Sequence, residues 1–308
     1  MKCIWLLALF VCQLTIRSQE LYPNSEPASI TPKNSLGIRL MNEGYTSNKY
    51  FKSWQGAMLM YGLNSKLMVT SMLTTSNHHR KNLPANFAQT DTTLKQSSAS
   101  ENSKENDYLF ESINFGFRYR FLNHDGDHKH FRMALYGNGV YSFRPHDEAE
   151  VTLMGDNKGI GGGFISTILI NKLAISLTGG VIAPFSHHDK KTNFTLRYGN
   201  AYNYSLSFGY LVYPFKYKNF KQTNINLYVE FIGKNYSELN LSKGQSNITL
   251  PSNNAFDGNN YIEIRPAIQF IVKSNLRIDC STALPLIRQS YIRSYPVFLL
   301  NFQYYFFL

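Results

Sequence analysis

Charged side chains alternate with apolar ones in several segments of this chain. In 113–121, Arg118 and Arg120 share one parity with Asn114, whereas the other parity is apolar or aromatic. Because alternate residues of a β-strand point to the same face, such charges collect on one side of a sheet. The charged positions predicted for this face are Arg39, Arg118, Arg120, Arg132, Glu230, Glu263, Arg265, Arg277 and Asp279.

These nine residues, called the predicted lumen charges below, allow two interpretations. Six arginines against three acids leave an excess of three positive charges. If the face lines a water-filled pore, this excess favours small anionic or polar solutes. If the charges pair with one another, they fill and brace a narrow interior, because an isolated buried charge is costly. The sequence gives the two interpretations equal weight.

A second set of side chains on these alternating segments is uncharged and carries sulfur. These side chains are the methionines Met41, Met58, Met60, Met68 and Met72. Thioether sulfur is a ligand that Cu(I) prefers, so a copper-handling interior is one interpretation. Methionine also fills irregular apolar gaps, and this is the more frequent role.

Histidines gather in the polar connections and not in the alternating segments. "NHDGDHKH" (123–130) resembles a metal cluster, but its spacing matches no established ligand pattern, and polar turn composition explains it more simply. No convincing serine–histidine pair is present that would suggest a barrel hydrolase. We therefore predict no metal site, no cofactor, no catalytic residue and no enzymatic activity.

Twelve alternating segments of about ten residues organise the chain, and helical periodicity is almost absent. Tyrosine (21) and phenylalanine (22) are abundant, as expected of antiparallel strands that meet a membrane interface. The segments lie near 35–44, 54–63, 65–75, 108–122, 130–143, 158–170, 172–184, 200–214, 222–235, 259–272, 275–288 and 296–308.

The connections between these segments alternate between short and long. Tight turns are expected at 63–66, 170–173 and 273–276. The long polar connections fall at 76–107, 144–157, 185–199 and 236–258. This pattern predicts an all-β fold: a transmembrane antiparallel β-barrel of about twelve strands, with short periplasmic turns, long extracellular loops and both termini on the periplasmic side.

The N-terminal part of the chain reads as an export sequence. Residues 3–16 form an apolar run that follows Lys2 and is too short to span a bilayer as a helix. We predict a signal peptide at 1–19, a periplasmic N-terminal segment at 20–34 and the barrel at 35–308. The mean hydropathy of −0.28 excludes a helical membrane protein.

The formal net charge of +11 constrains the partners of an exported protein. Nucleic acid is not expected, whereas anionic outer-membrane lipid and lipopolysaccharide are natural neighbours for a basic surface. Of the three cysteines, Cys3 and Cys12 fall in the predicted signal peptide. This leaves Cys280 alone, so no internal disulfide framework is expected.

The last segment carries a resemblance to a known class. Phe302, Tyr304, Phe306 and Leu308 share one face of "NFQYYFFL" (301–308). This pattern resembles the C-terminal assembly signal of Gram-negative outer-membrane barrels, although those usually end in phenylalanine. The resemblance implies that the barrel-assembly machinery recognises these four residues during insertion into the outer membrane.

A second resemblance concerns function. "LYPNSEPASITPKNSLGIRLMNEGY" (21–45) and "GLNSKLMVTSML" (62–73) look like a group of outer-membrane barrels loosely similar to the transporter-like barrels associated with aromatic meta-cleavage pathways. By analogy this implies a porin-like channel or transporter for a small solute. A non-conducting structural or adhesive barrel that acts through its extracellular loops is the alternative.

Overall fold

The structure is a computed structural model that describes residues 22–47, 50–77, 108–143, 158–216, 222–248, 258–287 and 294–307. The predicted signal peptide and most of the predicted loop 76–107 lie outside these ranges. Within them, no helix is long and apolar enough to cross a membrane.

Sixteen strands make up the regular structure of the described residues. They are β1 (Ser35–Ser47), β2 (Tyr50–Gly62), β3 (Leu67–Ser76), β4 (Leu109–Gly126), β5 (Lys129–Ser142), β6 (Gly159–Ile170), β7 (Leu173–Pro184), β8 (His187–Asp189), β9 (Phe194–Arg197), β10 (Ala201–Tyr213), β11 (Asn224–Tyr236), β12 (Asn240–Lys243), β13 (Ser246–Ile248), β14 (Asn259–Val272), β15 (Leu276–Ile287) and β16 (Val297–Phe307).

Twelve of these strands close into one antiparallel barrel. Neighbours along the chain pair with each other, and the circle closes where β1 pairs with β16, with Ser35 opposite Phe307. Closure leaves no unpaired strand edge in the wall, which is the condition for a sheet to cross a bilayer. The predicted fold class and its twelve alternating segments are confirmed.

The barrel is apolar outside and polar inside. On β4, the outward side chains of Phe115 and Phe117 are 63% and 50% exposed, whereas the inward Asn114 and Arg118 are buried. A soluble protein has the opposite arrangement. An exposed belt of large apolar side chains is what a lipid-facing barrel wall requires.

The tight turns lie together at one end of the barrel, called the turn rim below. Ser35 and Phe307 lie at this rim, as do the turns that follow β2, β6 and β14. The opposite end, called the loop rim, carries the long connections. The first hairpin departs from this pattern, because Ser47 pairs with Tyr50 and only two residues connect β1 to β2 at the loop rim.

The predicted loops 185–199 and 236–258 contain a small second sheet. Its four strands lie in the order β13-β12-β9-β8, and we call it the cap sheet. Phe194 and Leu196 of β9 pack against the inward side chains Val140, Ile182 and Tyr261 of the barrel. The cap sheet therefore lies over part of the loop rim.

Candidate functional site: the plugged lumen

Most of the segment 22–34 lies inside the barrel, and only its last two residues are exposed at the turn rim. The sequence predicted a periplasmic segment at 20–34, but its described part folds back into the lumen on the side of the turn rim, and we call residues 22–34 the plug. Tyr22, Ala28 and Thr31 are at most 1% exposed. The physical reason is that lumen arginines and carboxylates need partners, which the plug backbone and Glu26 supply.

Glu26 of the plug is held between two lumen arginines. Its carboxylate lies 3.2 Å from Arg39 Nη1 of β1 and 2.6 Å from Arg118 Nη2 of β4. Each guanidinium also donates to a plug carbonyl, Arg39 to Pro23 at 2.6 Å and Arg118 to Ser29 at 3.0 Å. Such charge-assisted bonds are stronger than neutral ones, so they fix the height of the plug in the lumen.

Glu230 of β11 binds the plug from the opposite wall of the barrel. Its fully buried carboxylate accepts the backbone N–H groups of Asn24 at 2.9 Å and Ser25 at 2.7 Å. The side-chain amide of Asn24 donates to it at 2.9 Å, and the hydroxyl of Ser207 lies 3.2 Å away. A buried carboxylate needs hydrogen-bond donors to replace its lost hydration, and here these donors come mainly from the plug.

Arg132 and Arg277 tie two further points of the plug to the wall. Arg132 Nη1 donates to the Ser29 hydroxyl at 2.9 Å. Arg277 Nη2 donates to the Tyr22 carbonyl at 2.6 Å, and its Nε donates to Asp279 at 2.8 Å. These arginines thus connect the plug to β5 and β15.

Arg265, Glu263 and Arg120 have hydrogen-bond partners in the barrel and its connections. Arg265 Nε donates to Glu263 at 2.9 Å, and the Tyr295 hydroxyl reaches the same carboxylate at 2.5 Å. Arg120 is half-buried at the turn rim, where its Nη2 donates to the Ser65 carbonyl at 2.7 Å. The structure therefore brings eight of the nine predicted charges inside as buried side chains and leaves Arg120 near the rim.

Sequence reasoning missed several charged residues of the lumen. Glu26 was assigned to the periplasm, and Glu43 and Lys234, which line the lumen, were not considered. Glu111 has the parity of the outward face, yet it is fully buried, because a β-bulge between β3 and β4 shifts the register at Thr74/Thr75. These carboxylates offset most of the positive excess counted from the sequence.

A cavity of about 320 Å³ lies in the lumen above the plug. Glu26, Arg39 and Arg118 form its floor. The wall made by β1, β2 and β3 is rich in methionine, and the opposite wall is polar and aromatic. Residues of that opposite wall include Tyr136, Asn138, Asn203, Lys234 and Tyr261. Such a cavity offers a small solute both hydrogen-bonding groups and soft apolar contacts.

The histidine-rich turn at 123–130 forms local polar contacts. His130 Nδ1 lies 2.9 Å from Asp125, and Asp125 lies 3.0 Å from Arg132 Nη2. In the part of the chain that the structure describes, no group of three or more histidine, cysteine, aspartate or glutamate side chains could hold a metal ion.

The C-terminal aromatic face points outward. Phe302, Tyr304 and Phe306 of β16 are 42%, 41% and 43% exposed. The rings of Tyr304 and Phe306 touch edge to face, with centroids 4.8 Å apart. Leu308, the fourth residue of the predicted assembly signal, lies outside the described residues.

Comparison with known proteins supports the fold. No family model matches this sequence, and no curated relative matches it. An outer membrane channel from Pseudomonas putida F1 has a TM-score of 0.59 at 10% identity, over 93% of this chain and 100% of that chain. LpxR from Salmonella typhimurium (TM-score 0.39, 7% identity, 89% and 100%) and outer membrane phospholipase A from Escherichia coli (0.36, 9%, 93% and 93%) are more distant. At these identities the likeness concerns the fold alone.

Proposed function

The chain is a bacterial outer-membrane β-barrel, and from this premise we propose that it is a plugged channel or transporter for small polar solutes. The observation that carries the proposal is the position of the plug beneath the cavity. A solute that enters from the loop rim reaches the cavity, and release of the plug opens the route to the periplasm. The proposal assigns no catalytic role to the chain.

The way the plug is held supports its release. The plug contacts the wall through side-chain hydrogen bonds, ion pairs and the apolar packing of Tyr22, Ala28 and Ile30, and it shares one bridge of β type with the wall at Lys33–Gly62. A hydrogen bond contributes about 0.5–1.5 kcal/mol net, and more when a charge takes part. Releasing the backbone returns about 1–2 kcal/mol of conformational entropy per residue. The returned entropy offsets part of the lost contacts, and release of the plug breaks none of the strand pairings that close the barrel.

The charge of the lumen bears on the solute class. The sequence predicted polar or anionic solutes, but Glu26, Glu43 and Glu111 offset most of the arginine excess. Small polar solutes therefore fit the lumen better than a strict preference for anions. The alternative, a non-conducting barrel that acts through its loops, draws support from the cap sheet, which lies over part of the loop rim.

A reversible lock on the plug tests the proposal. The hydroxyls of Ser25 in the plug and Ser207 in β10 lie 2.8 Å apart, close enough for a disulfide after Ser25→Cys and Ser207→Cys. In a Cys280→Ser background, we expect conductance in planar bilayers to fall when this pair is oxidised and to recover on reduction. Deletion of residues 22–33 should raise conductance above that of the parent.

The single variants Ser25→Cys and Ser207→Cys serve as controls and should respond to neither oxidant nor reductant. Swelling of liposomes in small sugars gives a second readout of passage. If oxidation, reduction and deletion all leave passage unchanged, or if no form conducts, the channel proposal is wrong and the non-conducting barrel takes its place.

A further inference from the structure

The ion pair between the plug and the wall is accessible from the cavity. One carboxylate oxygen of Glu26 lies 3.2 Å from Arg39 Nη1, and the other lies 2.6 Å from Arg118 Nη2. Both arginine side chains are buried, whereas that of Glu26 is 37% exposed. All three side chains line the cavity, so a solute there reaches both the carboxylate and the two guanidinium groups. We call Arg39 and Arg118 the arginine pair.

The arginine pair depends on Glu26 for its charge balance. Among the residues that the structure describes, Glu26 supplies the carboxylate that pairs with each of these guanidinium groups. Their other plug partners, the carbonyl groups of Pro23 and Ser29, are uncharged. If the plug leaves, two like charges lose their acid, which is costly in a protein interior. Release of the plug is therefore favoured when another carboxylate takes the place of Glu26.

The cavity offers contacts for the rest of a molecule that binds there through a carboxylate. Met58 lies opposite Arg39 across β1 and β2, and Tyr136 lies opposite Arg118 across β4 and β5. Both side chains line the cavity and provide apolar contact for a short carbon chain. A small molecule with one carboxylate and an uncharged body therefore matches both the arginine pair and the wall beside it.

We propose that the arginine pair is the binding site for the carboxylate of a small monocarboxylate solute, and that Glu26 occupies this site as an internal ligand until the solute displaces it. The inference rests on the proposed function, since it makes the transported solute the signal that releases the plug. Binding of the solute and docking of Glu26 exclude each other, so each weakens the other by the same factor. Exchange of one carboxylate for another leaves the charge balance of the lumen unchanged.

An ion pair that only anchors the plug makes a different prediction. Such a pair weakens as ionic strength rises, whatever the anion. A carboxylate site instead prefers an anion whose two oxygens can each accept from one guanidinium group, as those of Glu26 do. Chloride is therefore the control for charge alone, and an amide of the same shape as the acid is the control for shape alone.

Labelling of Thr31→Cys in a Cys280→Ser background measures release of the plug. Thr31 is buried, so its replacement thiol should react slowly with a water-soluble maleimide while the plug is docked and faster after release. Mass spectrometry of the labelled peptide identifies the reacting residue. At saturation, we expect butyrate to raise the labelling rate by about tenfold, a factor typical of hydrogen bonds to a charged group. Butyramide, and sodium chloride at equal ionic strength, should leave the rate nearly unchanged.

Two arginines of β4 provide matched variants for this measurement. Arg118→Gln removes half of the arginine pair, so the ratio of labelling rates with and without butyrate should fall to one. Arg120→Gln removes an equal charge from the same strand at the turn rim, where the side chain donates to the Ser65 carbonyl. This control should respond to butyrate as the parent does. Heat-modifiable migration in electrophoresis checks the fold of each variant.

Glu26→Ala gives a second measurement that does not depend on movement of the plug. The substitution removes from the arginine pair a group of the size and charge of one acetate ion, so acetate in solution should fill the gap. In NMR titrations we expect acetate to bind this variant about tenfold more tightly than the parent, because no internal carboxylate competes for the same donors. Acetamide should bind the variant and the parent equally weakly.

The proposal is overturned if chloride or butyramide releases the plug as well as butyrate does, or if Arg118→Gln responds as Arg120→Gln does. It is also overturned if acetate binds Glu26→Ala no better than the parent. None of these measurements requires conductance. If they fail while the disulfide lock still controls conductance, only the solute signal is wrong. If butyrate releases the plug of a barrel that never conducts, the carboxylate site is supported and the channel is contradicted.

Discussion

Glu26 shows how one side chain can determine the state of the lumen. It neutralises Arg39 and Arg118, which lie on β1 and β4 and would otherwise face each other with like charge. Its side chain is 37% exposed to the cavity, so solvent screens the pair in part. The residue therefore ties the plug to two strands of the wall while part of its side chain faces the cavity.

Replacement of Glu26 tests this role. We expect Glu26→Gln to weaken the plug by about 1–3 kcal/mol, the range for losing hydrogen bonds to a charged group. The frequency of open events in single-channel recordings should rise accordingly. Glu238→Gln, at an exposed position of the connection between β11 and β12, is the matched control and should behave as the parent. Equal opening of both variants would mean that Glu26 does not hold the plug.

At the scale of single residues, the sequence predicts only what parity can reveal. Arg118 and Glu230 stand in long uninterrupted alternations, so their inward orientation follows from period two. The inward orientation of Glu111 could not be predicted in this way, because a β-bulge reverses the parity at this position. A bulge depends on the partner strand and is not visible in a single segment. The position of Glu26 could not be predicted in this way, because Glu26 lies in a segment that has no periodicity and its partners Arg39 and Arg118 lie on two different strands.

At the scale of elements, the long strands were predictable and the short ones were not. Each barrel strand of ten or more residues repeats its apolar face several times, which a single sequence displays. The cap strands have three or four residues, and β9 pairs with β12 from a distant connection. Their order depends on burial of Phe194, Leu196 and Leu241 against the barrel, which local pattern does not reveal.

The last strand carries a prediction of its own. Tyr304→Ala/Phe306→Ala/Leu308→Ala should block insertion, because Tyr304 and Phe306 point outward and, together with Leu308, belong to the pattern that the assembly machinery is expected to recognise. Membrane fractionation and heat-modifiable migration measure the outcome.

The matched control removes outward aromatics elsewhere: Tyr202→Ala/Phe208→Ala/Tyr210→Ala on β10, whose side chains are 36–60% exposed. This control loses comparable lipid contact and should still insert. Normal folding of the β16 variant, or equal failure of both, would contradict a specific role for the C-terminal face.

At the scale of the whole molecule, we expect the balance of lumen charge to determine the ion selectivity of the proposed channel. Paired arginines and carboxylates leave little net potential along the route, although the chain as a whole carries +11. The basic excess must therefore lie mainly on surfaces outside the lumen. There it suits contact with anionic lipid head groups and lipopolysaccharide, the partners expected from the sequence.

Reversal potentials in a potassium chloride gradient test this balance. With the plug removed by deletion of residues 22–33, we expect potassium and chloride to permeate almost equally. Glu43→Gln should shift the reversal potential toward chloride, because it removes a carboxylate from the cavity wall. Glu238→Gln should leave it unchanged. A strong anion preference in the plug-deleted parent would instead support the charge excess counted from the sequence.

The seat of the plug has a consequence for the order of events during biogenesis. Pro23 accepts a hydrogen bond from Asn301 of β16, and Tyr22 accepts one from Arg277 of β15. Tyr22 and Pro23 are therefore translated some 250 residues before the side chains that donate hydrogen bonds to them. A chain truncated before β15 lacks both hydrogen-bond donors, Arg277 and Asn301. We therefore expect its plug to be held by fewer contacts and its lumen to stay partly open. The plug can therefore reach its final position only after β15 and β16 have joined the barrel.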